Sequence, residues 1–161
     1  LKAHERIWKI KKVVKKKILK NWLFANSIHT IDLLRFFGGE IKRYKIFSNH
    51  SDYKKNFCIS IKYKNGAVGT YVSNWNSPGG WSVKIFGDGF TLLFDPLEKG
   101  KFIFKSKKIV NLVSSYHDKK YKPGFFLQMQ SFKNLINGKK IDKDLINLKQ
   151  YLSNIEMIKN I

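Results

Sequence analysis

Cysteine is almost absent from this chain of 161 residues. Cys58 is the only one, so an internal disulfide and a cysteine-based zinc site are both excluded. Its setting in an apolar strand reads as a buried, inert thiol. Acidic residues are scarce too: 11 Asp and Glu stand against 32 Lys and Arg, for a net charge of +21. Arginine contributes only Arg6, Arg35 and Arg43 to that total. Bidentate contacts to phosphates and base edges favour arginine, so the lysine excess reads as a solvated, compositional charge and disfavours a nucleic-acid role. No apolar run reaches the ~18–20 residues of a membrane span, and no signal-peptide pattern is visible. A cytoplasmic protein with no membrane partner is the expectation.

What is present is enough apolar material for a core, at 43% of residues with 15% aromatic, in a chain of single-domain length. Residues 1–20 form a basic lead-in whose pattern allows either a helix or a strand. Lys15, Lys16 and Lys17 read as a solvated face. The stretch 21–39, NWLFANSIHTIDLLRFFGG, reads as the central helix. Phe24, Ile28, Ile31 and Leu34 recur at three- and four-residue steps, and Gly38-Gly39 ends the helix. His29 and Asp32, three apart, share one side of it. An imidazole beside a carboxylate suits proton transfer at ordinary pH. Arg35, one turn from Asp32, offers a purely structural pairing as the alternative.

From Glu40 the period falls to two. Residues 40–113 read as about six to seven short strands joined by hairpins, with Asn65-Gly66 the clearest turn, and hence as an antiparallel sheet. Residues 125–161 read as two amphipathic helices. The first carries Phe125, Met129, Phe132 and Ile136. The second, from about Asp142, carries Leu145, Leu148, Leu152, Ile155 and Met157 or Ile158, with Asp142 or Asp144 at its start. The fold class is α+β: one open-faced sheet with helices on one side, in a single domain over 1–161. Both parities of FCISIKY and GTYVSNW are apolar or aromatic, which predicts that the second face is also covered. Asn74, Trp75 and Asn76 follow a hairpin strand, where amides and an indole suit hydroxyl-rich ligands. His4, His50 and His117 lack evident companions. Tyr71 and Trp81 read as core.

The order of these motifs resembles the C-terminal domain of the glucose–fructose oxidoreductase / inositol dehydrogenase (Gfo/Idh/MocA) family. The helix with His29, Asp32 and Gly38-Gly39 comes first, then IKYKNGAVGTYVSNW, then IFGDGFTLLFD, then SFKNLINGKKI and a closing helix. The resemblance implies the substrate-binding and oligomerisation half of an NAD(P)-dependent oxidoreductase acting on a sugar, sugar nucleotide or polyol. His29 would be the proton donor or acceptor. Asp32, Asn74, Trp75 and Asn76 would contact substrate. NAD or NADP would be bound mainly by a separate N-terminal Rossmann domain, so the chain alone is not expected to bind the nucleotide, to be active, or to hold a metal. The family's Gly-rich phosphate loop and Glu-Lys-Pro motif do not occur in these residues. Its usual Asp four residues before the histidine is replaced by Ala25. A homo-oligomer formed through the sheet is implied. A non-catalytic dimerisation module is the alternative reading, and a basic nucleic-acid-binding domain the third.

Overall fold

The computed structural model describes residues 1–7, 20–48, 56–75, 77–139 and 145–161. The run Lys15–Lys17, His50, Asn76, Asp142 and Asp144 lie outside the described residues. Eight strands form one sheet: β1 (Lys2–Ile7), β2 (Ile41–Ser48), β3 (Asn56–Tyr63), β4 (Val68–Trp75), β5 (Trp81–Gly87), β6 (Phe90–Phe94), β7 (Gly100–Phe104) and β8 (Ile109–Asn111). Their order across the sheet is β2-β3-β4-β1-β5-β6-β7-β8. The α+β architecture expected from the sequence is therefore present, with one strand more than the hairpin pattern announces.

The extra strand lies in the lead-in. β1 inserts between β4 and β5, parallel to β4 (Ala3 opposite Tyr71) and antiparallel to β5 (Ala3 opposite Val83). All other pairings are antiparallel. A run of sequential hairpins predicts that β4 and β5 neighbour one another. They do not, because Ala3, fully buried, fits the narrow slot beneath the helix between them.

Strand alternation sorts side chains to two faces. Phe57, Ile59, Ile61, Tyr63, Tyr71, Ser73 and Val83 are buried on one face, together with Leu23, Ile28, Ile31 and Leu34 of the central helix. That helix, α1 (Ile28–Gly38), is preceded by one wide π-type turn over Leu23–Ser27, closed by a bond from the Ile28 N–H to the Leu23 carbonyl. The wide turn inserts a residue into the helical register. It explains why Phe24 is exposed (39%) instead of joining Ile28, Ile31 and Leu34 as the spacing predicts, while Leu23 and Ser27 are buried in its place. Gly38 presses against the Tyr63 ring, leaving no room for a Cβ. Gly39, at φ +88°, ends the helix, its N–H donating to the Arg35 carbonyl at 2.8 Å.

Three further helices follow: α2 (Tyr116–Lys120), α3 (Phe125–Ile136) and α4 (Leu148–Lys159). Residues 114–124 contain a short helix, capped by Ser115 Oγ accepting from the Asp118 N–H. α4 starts later than expected. Its cap is a reciprocal box: Asn147 Oδ1 accepts from the Gln150 N–H at 2.9 Å and Gln150 Oε1 from the Asn147 N–H at 3.0 Å. Of the expected stripe, Met157 and Ile158 are buried beside Asn154 and Ile155 packs partly against the core, whereas Leu148 and Leu152 are exposed. Asn154 sits at that interface, donating from Nδ2 to Asp32 Oδ1 at 2.9 Å. On α3 the periodicity holds, yet Phe125, Met129, Phe132 and Ile136 are all half exposed or more.

Candidate functional site

His29 is on the first turn of α1, exposed, directly after the wide turn. Among the described residues its ring makes no hydrogen bond. Ala25, one turn earlier, is exposed, and Asn26 is half-buried. Asp32 follows one turn after His29 and is half-buried. Its Oδ1 accepts from Arg35 Nε at 2.7 Å and from Asn154 Nδ2 at 2.9 Å. The Arg35 pairing was legible in the spacing of the helix. Asn154, 122 residues away in sequence and 1% exposed, was not. The carboxylate thus ties α1 to α4, and no bond links it to the His29 ring among the described residues.

Asp32 also borders a cavity of about 470 Å³ lined by Gln128, Gln130, Ser131 and Asn134 of α3 with Leu127, Leu145 and Ile146. Both bonds to Asp32 fall on Oδ1. Amides, a hydroxyl and a carboxylate supply mixed donors and acceptors, the set that a polyhydroxylated molecule engages. No local pattern in the sequence marks Gln128, Ser131 or Asn134, which lie off the apolar stripe of α3.

Asn74 lies elsewhere. It alternates with buried Tyr71 and Ser73, so it faces away from α1, on the opposite side of the sheet. There its Oδ1 bonds to His4 Nε2 at 3.0 Å. His4, read as lacking a companion, gains one because β1 lies beside β4. Trp75 closes β4 in sequence, and Asn76 lies outside the described residues. The structure therefore brings His29 and Asp32 onto one helix, adds the α3 cavity to Asp32, and places Asn74 with His4 on the other face. Cys58 is half-buried, not sealed, on the same open face.

Gly87-Asp88-Gly89 does not have the geometry of a pyrophosphate loop. The glycines of Gly87-Asp88-Gly89 sit in the turn of the β5–β6 hairpin, with Gly89 at φ +75°. A pyrophosphate loop needs a strand leading into a helix N-terminus. Among the described residues no group of three metal-ligating side chains occurs, and no helix is long and apolar enough to cross a membrane.

Solved structures share the fold. A dehydrogenase from Clostridium difficile superposes with a TM-score of 0.74 at 16% identity, over 99% of this chain and 52% of that one. A levoglucosan dehydrogenase solved with NADH and levoglucosan gives 0.70 at 13%, over 98% of this chain and 55% of the other. A UDP-N-acetylglucosamine 3-dehydrogenase from Acidithiobacillus ferrooxidans gives 0.72 at 11%, over 98% and 50%. The chain spans about half the length of each. No curated protein sequence matches it. The model of the GFO/IDH/MocA C-terminal domain matches residues 9–92, from the lead-in through the His29 helix to β6; the chain belongs to the GFO/IDH/MocA family, as a C-terminal domain.

Proposed function

We propose that this domain is the substrate-binding half of an NAD(P)-dependent oxidoreductase that acts on a sugar, sugar nucleotide or polyol, and that His29 is its proton donor or acceptor. The observation that carries the reading is the placement of an exposed imidazole at the start of α1, one turn from a carboxylate that borders a cavity rich in amides. Alcohol oxidation releases a proton and a hydride. An imidazole takes the proton well because its pKa lies near neutrality. The hydride acceptor would be a nicotinamide held by a separate nucleotide-binding domain, since these residues supply no phosphate loop. The solved relatives that share the fold include sugar dehydrogenases, one with NADH bound, which supports the substrate class.

Asp32 serves this reading in two ways. Oδ1 is held by Arg35 and Asn154, which fixes the carboxylate on α1, and the carboxylate borders the cavity, where it accepts from a substrate hydroxyl. Asp32 does not orient the imidazole, and Ala25 removes the carboxylate that does so in the family. His29 therefore meets its substrate without a carboxylate behind it.

The test is turnover by the full-length polypeptide. His29→Ala is expected to lower kcat by about 10²- to 10⁴-fold, the usual contribution of a general acid or base. Unchanged turnover would reduce His29 to a surface residue.

A further inference from the structure

The sides of α3 are the reverse of what a helix lying on a core usually shows. Its apolar residues Phe125, Met129, Phe132 and Ile136 are half exposed or more. Gln128, Ser131 and Asn134, at steps of three, share another flank, and that flank lines the cavity bordered by Asp32. A surface helix normally buries its apolar stripe and keeps its polar side in water. A polar row turned toward a cavity calls instead for a polar occupant. The cavity, at about 470 Å³, falls within the ~300–1,000 Å³ range of small-molecule sites.

Charge narrows that occupant. The chain holds 32 Lys and Arg, yet none lines this cavity among the described residues, and Asp32 is the one ionisable side chain there. Lys133 lies between Ser131 and Asn134 in sequence but is exposed and off the lining. Arg35 is the cation beside Asp32, and its Nε donates to Oδ1 at 2.7 Å, so the pair is close to neutral as a unit. Phosphates and carboxylates are held by Arg, by Lys or by helix N-termini. The cavity follows the flank of α3, where backbone N–H groups bond within the helix, and not its N-terminal end. Amides and a hydroxyl both donate and accept, as sugar hydroxyls do. Leu127, Leu145 and Ile146 add apolar surface for C–H groups.

His29 precedes Asp32 by three residues, about 4.5 Å along the helix axis, and does not line the cavity. The cavity therefore lies beside the imidazole, where the non-reacting part of a substrate would extend. We propose that Gln128, Ser131 and Asn134 are the specificity-determining row of this domain. With Asp32 they hold the non-reacting hydroxyls of an uncharged sugar or polyol, and they discriminate against sugar phosphates, sugar acids and nucleotide-linked sugars. This inference rests on His29 being the proton donor or acceptor. An anionic group brought into the cavity would meet the Asp32 carboxylate without a lining cation to hold it.

The test uses the full-length polypeptide with its nicotinamide cofactor. Neutral hexoses and polyols are compared with the same molecules as 6-phosphates, uronic acids and UDP conjugates, and nicotinamide absorbance reads turnover. The neutral members should be favoured by about tenfold or more in kcat/KM, as expected where like charges would be placed together. Gln128→Ala and Asn134→Ala should each raise KM about 5- to 10-fold with kcat within about twofold, as when a contact to a non-reacting group is lost. Ser131→Lys should raise turnover of the phosphorylated members relative to the neutral ones, a gain that misfolding cannot mimic. Lys133→Ala, on the same helix but off the cavity, should change neither constant. Preference for the anionic members, or unchanged KM in both alanine variants, would overturn this inference alone if His29→Ala still lowers kcat. Turnover of neither class, or an unaffected His29→Ala enzyme, would remove the functional reading and this inference with it.

Discussion

Asn154 shows how much one residue can decide. Its amide is 1% exposed and donates to Asp32 Oδ1 at 2.9 Å. Replacing it by alanine leaves half of a buried pairing unmet, so Asn154→Ala is expected to lower stability by about 1–3 kcal/mol in urea unfolding. Asn154→Asp is expected to cost more, since a second carboxylate would then face Asp32. A similar logic applies to Tyr63, whose hydroxyl is buried with no described partner. Burial pushes its pKa from the ordinary 10.0 up to about 12. A group whose folded pKa is raised contributes stability below its unfolded pKa and loses it as pH climbs through the folded value. Stability should therefore fall between about pH 10 and pH 12 more steeply in the wild type than in Tyr63→Phe. At neutral pH Tyr63→Phe should cost little, because no hydrogen bond is lost. Gly38→Ala, which drives a methyl group into the Tyr63 ring, should cost about 1–3 kcal/mol as overpacking does. Equal stability of Gly38→Ala and wild type would show that the ring can step aside.

Elements here are held by joints that serve two of them at once. Asn65 lies in the β3–β4 turn, where its Oδ1 accepts from the Ala67 N–H at 3.0 Å and its Nδ2 donates to the Gly38 carbonyl at 3.0 Å. One side chain closes the hairpin and caps α1. The turn was plain from Asn65-Gly66, with Gly66 at φ +90°; the cap was not, because it joins residues 27 apart. Asn65→Ala is expected to lower stability by about 1–2 kcal/mol, beyond the few tenths usual for an exposed turn. Asn65→Gly, which keeps the turn and loses the cap, should fall between the two in thermal unfolding. The wide turn before α1 marks the opposite case. Helical spacing foresaw the helix and its stop, but the inserted residue turned Phe24 outward and Leu23 inward. Periodicity reports which residues want burial. It cannot report a register slip that only packing of Leu23 into the common core selects.

At the scale of the molecule, charge is the main strain. With a net +21 and lysines opposed on one face, self-repulsion opposes the compact state. Screening relieves it, so raising salt from ~0.05 to ~0.5 M should increase the melting temperature. A flat response would mean that the lysines already sit too far apart to interact. The apolar side chains of α3, exposed at Phe125, Met129, Phe132 and Ile136, show that helical spacing alone does not guarantee a buried stripe; something must lie against it.

By itself the sequence determined the α+β class, the strands from β2 to β8, the central helix with His29 and Asp32, and the Asn65-Gly66 hairpin. Each follows from local periodicity and turn chemistry, which neighbouring residues carry between them. Only the tertiary structure decided that β1 divides the hairpins, that Asn154 takes Asp32, and that Asn74 faces His4 and not His29. Those outcomes depend on which distant segments share a strand edge or a helix face. That choice is made by the burial of Ala3, Tyr71 and Ile158 together, and no stretch of chain expresses it alone.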